Sequence, residues 1–332
     1  QSDLGLDFSL FNRRINVEVD YYNRLTKDLL LNASMPWATG FASAFTNIGK
    51  VKNDGLEFTL NTTNIRKGKF TWTSSFNISF NRNKLMSLNS GEDALLTTRA
   101  FDASVGSNVN YIARVGQPVA QFYGLIADGM YQLDDFYKIP NGTTGFVYLL
   151  KPNIPWYGTQ STLASVNTNP QFPVQPGDPK FKDLNGDGII DQNDNTVIGN
   201  PYPKHYGGLN NNFSYKNFDL SVFLQWSYGN DILNANRLKF EGGTNGSVQP
   251  SALALTGGGI NFNMFATYAN RWTPENPSNL YPRANAHAGG TRQYSTRIVE
   301  DGSYLRVKTL QLGYSLPAVV VKRLKITSAR FY

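Results

Sequence analysis

The stretch FTWTSSFNISFN, residues 70–81, decides the fold class. Phe70, Trp72, Phe76, Ile78 and Phe80 share one parity, with Ser74 the single gap. Thr71, Thr73, Ser75, Asn77, Ser79 and Asn81 share the other. Side chains of an extended strand point alternately to opposite faces, so this segment is a strand with one apolar and one polar face.

The same alternation flanks it. Leu56, Phe58 and Leu60 alternate with Glu57, Thr59 and Asn61, and a turn near Arg66-Lys67-Gly68 joins the two runs into a hairpin. Leu6, Phe8 and Leu10 lead through Asn12-Arg13 into Ile15, Val17, Val19 and Tyr21. Leu209 to Tyr215 leads through Lys216-Asn217 into Phe218, Leu220, Val222, Leu224 and Trp226. Leu305, Val307 and Thr309 alternate in a run that reaches Pro317, and a last strand is expected from near Lys322. A weaker hairpin is expected from Val109 to Met130, turning at Gly116-Gln117-Pro118. In all, the alternation predicts about ten strands.

Alternation alone also suits a soluble β-sandwich, whose outer face meets water. Three features favour an antiparallel transmembrane β-barrel. The polar parity of 71–81 holds Thr, Ser and Asn where a solvated sandwich face carries Lys and Glu. The strands are as long as tilted membrane strands require. Connections alternate short (near 12–13, 66–68, 116–118, 216–217 and 317–321) and long (roughly 32–50, 86–108, 131–203 and 231–296), which is the outer-membrane layout. The short turns are also basic, with Arg13, Arg14, Arg66, Lys67, Lys216, Lys322 and Arg323. Turns are polar anyway, and contact with lipid headgroups is the alternative reading.

Composition narrows function. Charged residues make up 17% of the chain and aromatics 13%, low and high for a soluble domain. The net charge of +7 is scattered, with no phosphate-tracking stripe, so no nucleic-acid partner is expected. With no cysteine there is no disulfide, thiolate site or Cys nucleophile. His205 and His287 are far apart in loop contexts, and no Ser-His-Asp set or acid pair emerges, so an enzyme is not expected. No apolar run is long enough for a membrane helix. Both ends read as mid-strand, so residues 1–332 are expected to be part of a larger barrel domain.

Four further motifs follow in order. They are VGQPVAQFYGLIADGMYQ from Val115, GDPKFKDLNGDGIIDQNDNTVIGNPYPKHYGGLNNNFSYKNFDLSVFLQWSYGNDI from Gly177, NRWTPENP from Asn270 and EDGSYLRVKTLQLGYSLP from Glu300. They resemble the SusC/RagA-type TonB-dependent outer-membrane transporters, and TNIGKVKNDGLEFTL from Thr46 resembles the wider receptor barrel. The resemblance implies a barrel of roughly 22 strands around an N-terminal plug, with short periplasmic turns and long extracellular loops at 131–203 and 231–296. The plug and the TonB-box would lie outside these residues. It further implies import of oligosaccharides or peptides across the outer membrane of a Gram-negative bacterium. The implied partners are a SusD/RagB-like surface lipoprotein, the TonB complex and outer-membrane lipid. The rival function is a surface-exposed carbohydrate-binding β-protein with a structural calcium loop.

Two sets of candidate site residues stand out. Asp183, Asn185, Asp187, Ile189, Asp191 and Asp194 occupy positions 1, 3, 5, 7, 9 and 12 of a calcium-type loop, Ile189 through its carbonyl and with Gly188 at the sharp turn. Such an ion would stiffen a long loop. Asp replaces the usual Glu at position 12, which shortens its reach, and an ion-free turn rich in Asx residues is the competing reading. In the long loops Trp37, Phe41, Trp156, Tyr157, Tyr268 and Trp272 could stack on a ligand, Trp156 and Tyr157 above all, or could simply pack the loops. Tyr21, Tyr22, Trp226 and Tyr228 are expected in an interfacial aromatic girdle.

Overall fold

The computed structural model describes residues 1–34, 43–47, 49–88, 92–98, 109–141, 145–168, 173–241, 264–284, 290 and 293–332. Its main feature is an antiparallel wall. The wall strands are β1 Ser2–Leu10, β2 Ile15–Thr26, β3 Lys50–Lys67, β4 Phe70–Ser87, β5 His205–Tyr215, β6 Phe218–Tyr228, β7 Tyr304–Ser315 and β8 Arg330–Phe331. They lie side by side in chain order, eight among the described residues. The connections 11–14, 68–69, 216–217 and 316–329 are short, while 27–49, 88–204 and 229–303 are long. Because neighbours are antiparallel, every short connection falls at one end of the wall and every long one at the other.

Register carries the alternation across strands. One row runs Leu6, Val19, Phe58, Ile78, Gly207, Trp226 and Leu305, with side chains apolar or absent throughout. The neighbouring row runs Asp7, Glu18, Thr59, Asn77, Gly208, Gln225 and Arg306. The wall therefore has one apolar and one polar surface. Along β4 the apolar parity spans Phe70 to Phe80 and then meets Arg82, which pairs with Asp54 in register. Ten residue steps at ~3.4 Å and ~40° tilt give a band about 25 Å tall, the height of an outer-membrane hydrocarbon belt. No helix among the described residues is long and apolar enough to cross a membrane.

The Ser74 gap belongs to a polar network on the apolar face. Thr62 donates to Asn64 Oδ1 (2.8 Å), Asn64 Nδ2 to Ser74 Oγ (2.6 Å), and Ser74 Oγ and Trp72 Nε1 both to Asn211 Oδ1 (2.6 and 3.1 Å). Polar groups facing hydrocarbon are stabilised by bonding to one another, as in this chain of bonds. Asn64 is the extra residue of a bulge between Thr63 and Ile65, after which Ile65 pairs with Trp72.

Three expectations are corrected. Residues 109–130 form no barrel hairpin, which reduces the expected ten wall strands to eight. Tyr111–Arg114 and Gln121–Gly124 are four residues each, too short to cross, and join Ala94–Thr97 and Thr196–Gly199 in a small separate sheet. Ile112 and Phe122 are buried there, and the turn docks on the wall, Gly116 N donating to Leu85 O (2.8 Å). The two long connections expected at 86–108 and 131–203 are thus one, 88–204. The chain after Pro317 turns into a short helix, Ala318–Arg323, and the last strand begins only at Arg330. Pro317, with φ near −57°, suits the residue leading into a helix, and Val321 is the position that helix buries.

Candidate functional site

The long connections build a folded body at one end of the wall. Its core is Leu125, Tyr131, Phe136, Leu150, Tyr157, Val174, Phe181 and Ile190, all from the 88–204 connection. The 229–303 connection locks onto it at a clamp around Gly177-Asp178-Pro179. Asp178 is fully buried; its Oδ1 accepts from Arg283 Nε (2.9 Å) and its Oδ2 from Gln175 N (2.8 Å). Arg283 N donates to Gly177 O (2.9 Å), and Tyr268 Oη donates to Arg283 O (3.1 Å). Gly177 has φ +86°, and a Cβ there would strike the Trp272 ring, so glycine is required twice over. Burial pushes the Tyr268 hydroxyl up to about 12, against the opposing pull of nearby Arg271, Arg283 and Arg297.

The aromatic candidates fall within this body. Tyr157 is 4% exposed and donates to Pro179 O (2.9 Å); Trp272 is 5% exposed and donates to Gln132 Oε1 (3.0 Å). Neither offers a ring face to a ligand. Burial raises the Tyr157 hydroxyl well above its ordinary value. Trp156 packs, half-buried, against the core, and its backbone pairs with Ile189 of the calcium-type loop. Tyr268 is buried as well, while Trp37 and Phe41 lie outside the described residues.

In the calcium-type loop, Asp183 Oδ1 and Oδ2 accept from Gly186 N (2.6 Å) and Gly188 N (2.8 Å), and Asp187 Oδ1 accepts from Ile189 N (2.8 Å). Asn185 Oδ1 accepts from Asp187 N (3.0 Å), and Asp191 Oδ1 from Asn193 N (2.7 Å). Asp194, fully buried, takes Leu184 N (2.7 Å) on Oδ1 and Asp191 N (2.9 Å) on Oδ2. The Asp191 and Asp194 side chains cap a short 3-10 turn reciprocally. These bonds tie the side chains of the calcium-type loop to its own backbone amides. The shorter Asp at position 12 turns to backbone amides, and no group of three or more acidic or histidine side chains suited to a metal occurs among the described residues. The donor set as arranged fits a self-capped turn.

The polar face of the wall is the second part of the site. From β4 onward it is mainly Thr, Ser, Asn and Gln, with Asp219 and Arg306, while the first three strands set acids opposite one another: Asp7 stands opposite Glu18, and Asp20 opposite Glu57. Like charges in direct register repel, so water must screen them, as a wet lumen does. Of the girdle residues, Tyr21 is on the apolar face, whereas Tyr22 turns inward and donates to Asn81 Oδ1 (2.8 Å). Trp226 and Tyr228 lie on the apolar face with His205, which accepts from Trp226 Nε1 (3.2 Å) and stacks on Tyr228 (5.1 Å between centroids). His205 is thus a wall residue. His287 lies outside the described residues.

Sequence reasoning missed Asp178, Arg283 and the Asn211 network. An Asp held between Gly and Pro, and the lone Ser74 in an aromatic row, were the available signals.

No family model matches the chain. It is 33% identical over 335 residues to TonB-dependent receptor P3 of Formosa agariphila, covering 100% of this chain and 28% of the relative. It is 35% identical to TonB-dependent receptor P26 of the same organism (95% and 27%), and 32% identical over 231 residues to TonB-dependent receptor SusC of Bacteroides thetaiotaomicron (69% and 19%). The chain thus spans less than a third of the length of these relatives. Among solved structures, the RagAB peptide transporter matches with a TM-score of 0.67 at 23% identity, covering 99% of this chain and 30% of that one. The same importer in its "open-open" state matches with a TM-score of 0.64 at 22% identity. With a two-faced antiparallel wall, and likeness to these receptors along its whole length, the chain belongs to the SusC/RagA-type TonB-dependent receptors as a stretch of their barrel.

Proposed function

We propose that this chain supplies part of the wall and outer loops of an outer-membrane importer of oligomeric nutrients, oligosaccharides or peptides. The importer works with a SusD/RagB-like surface lipoprotein and is energised by the TonB complex through a region outside these residues. The observation that carries the reading is the wall, with an apolar band about 25 Å tall on one surface and a hydrated polar surface on the other. Ligand captured at the long-loop end would pass along the Ser, Thr, Asn and acid-lined face, and no bond is made or broken. The exposed row Leu305, Val307, Leu310 and Leu312 counts against a soluble carbohydrate-binding module, since water would have to cover it.

The test is deletion of the gene in its own host, with complementation. Uptake of fluorescent oligosaccharides and of peptides is measured beside membrane fractionation. Loss of uptake for one class, with the protein in the outer-membrane fraction, is expected and identifies the substrate class. Unchanged uptake of both classes removes the importer reading. A product that stays soluble and folded without detergent restores the binding module.

A further inference from the structure

The short-turn end of the wall carries a charge imbalance that the import reading does not use. Arg13, Arg14, Arg66, Lys67, Lys69, Lys216, Lys322, Arg323 and Lys325 lie in or beside the short connections, and all nine are exposed. No Asp or Glu lies in residues 11–14, 64–69, 215–217 or 316–329. These nine exceed the net charge of +7 of the entire chain; the other 22 of its 31 cations are outnumbered by 24 acids. Turn polarity by itself would bring both signs.

Just inside these turns the apolar face is aromatic. Phe70, Tyr215, Phe218, Tyr314 and Phe331 follow one another in register across five strands, with Trp72 and Phe213 in the next row inward. Trp72 stacks on Phe213 (5.5 Å between centroids), Phe218 packs on Tyr314 (4.7 Å), and Lys216 Nζ lies 5.3 Å from the Tyr215 ring centre. Aromatic belts mark the level where hydrocarbon gives way to headgroups. The cations therefore begin where lipid phosphates begin. In the last connection, exposed Val319, Val320, Leu324 and Ile326 sit among Lys322, Arg323 and Lys325, the mixture of apolar and basic groups that suits a membrane interface.

We propose that the short-turn rim is a binding surface for anionic phospholipid headgroups of the leaflet on that side. Aromatics seat the rim at the hydrocarbon boundary, and the nine cations engage the phosphates. This rests on the wall spanning a bilayer and not on what the protein imports.

The test uses the full-length transporter reconstituted in nanodiscs of phosphatidylcholine alone and of phosphatidylcholine with phosphatidylglycerol, with melting and lipid retention (native mass spectrometry) as readouts. Expected are a higher melting temperature with phosphatidylglycerol, erased by high salt, and preferential retention of that lipid. Replacing Lys322, Arg323 and Lys325 together by Gln should reduce its retention, up to about fivefold for each cation removed. If that triple variant folds poorly, the Arg66, Lys67 and Lys69 triple to Gln serves instead. A control neutralising exposed Lys138 and Lys182, at the other end, should retain lipid as the parent does. Equal retention of both lipids by the parent, or unchanged retention in the variants, overturns the proposal. So does equal protection by inorganic phosphate alone, which would make the rim a general anion site. A protein that imports normally yet ignores phosphatidylglycerol would sink this inference and leave the import reading standing.

Discussion

At the scale of single residues, the loop body is held by a few buried polar groups. Asp194 ties three parts of the calcium-type loop through two backbone amides and a reciprocal cap. Replacing it by Ala removes both bonds to part-buried amides, at about 1 kcal/mol each. Asp194→Ala is expected to lower the melting temperature equally with calcium or with chelator. If the loop is held by its backbone amides alone, calcium should leave the parent's melting temperature within about 2 °C. A calcium-dependent rise of several degrees, lost in the variant, would reinstate the ion. Arg297 presents the opposite case. Its Nη1 and Nη2 are buried without a hydrogen-bond partner, and burial together with Arg237 lowers its pKa to about 10. A folded-state pKa below the unfolded one means that folding disfavours the charged form, a penalty present at neutral pH and relieved only as pH rises through about 10. Arg297→Met should raise the melting temperature at pH 7. A clear fall would show that the guanidinium has an anionic partner in the whole protein.

At the scale of elements, the two faces of a strand predict opposite tolerances. Leu224 lies on the apolar face near mid-band, level with Leu209 and Val307. Leu224→Arg should cost about 2–4 kcal/mol in denaturant titrations of the lipid-embedded barrel. Asn77→Arg, one row away on the polar face, should fold with near-parental stability and alter uptake instead. Equal damage from both would contradict the assignment of faces. The short turn 11–14 shows how local geometry yields to the wall. Phe11, Asn12 and Arg13, between the paired Leu10 and Ile15, all adopt positive φ (51°, 54° and 63°), a conformation that suits Asn better than Phe or Arg.

At the scale of the molecule, the wall and the loop body are stabilised differently. Apolar residues of the wall face outward, so its strands rely on lipid and on one another. The loop body has a water-type core, and the Asp178–Arg283 pair joins its two long connections across 105 residues. Arg283→Ala removes one ion pair from buried Asp178 and is expected to weaken the joint between the two connections. Limited proteolysis is expected to cut both long connections sooner in that variant, while the wall strands stay protected. Cleavage of one connection alone would show that the two fold independently.

The sequence by itself determined the two-faced strands, the one-sided rhythm of long and short connections and the kinship to TonB-dependent receptors. Those properties are local: the pleat makes alternation a readout of strand faces, and motifs are contiguous. Only the tertiary structure decided which alternating segments enter the wall. Residues 109–130 alternate too, but non-local bonds to Leu85 and Tyr294 hold them in the loop body, where Ile112, Phe122 and Leu125 are buried. The same holds for Tyr157 and Trp272, whose exposure depends on Pro179 and Gln132, distant partners that no spacing rule reaches. It holds for Asp194 as well, whose bonds to Leu184 N and Asp191 N depend on how the loop closes on itself. A residue's type restricts which interactions it can make, and the chain segments folded around it select among them.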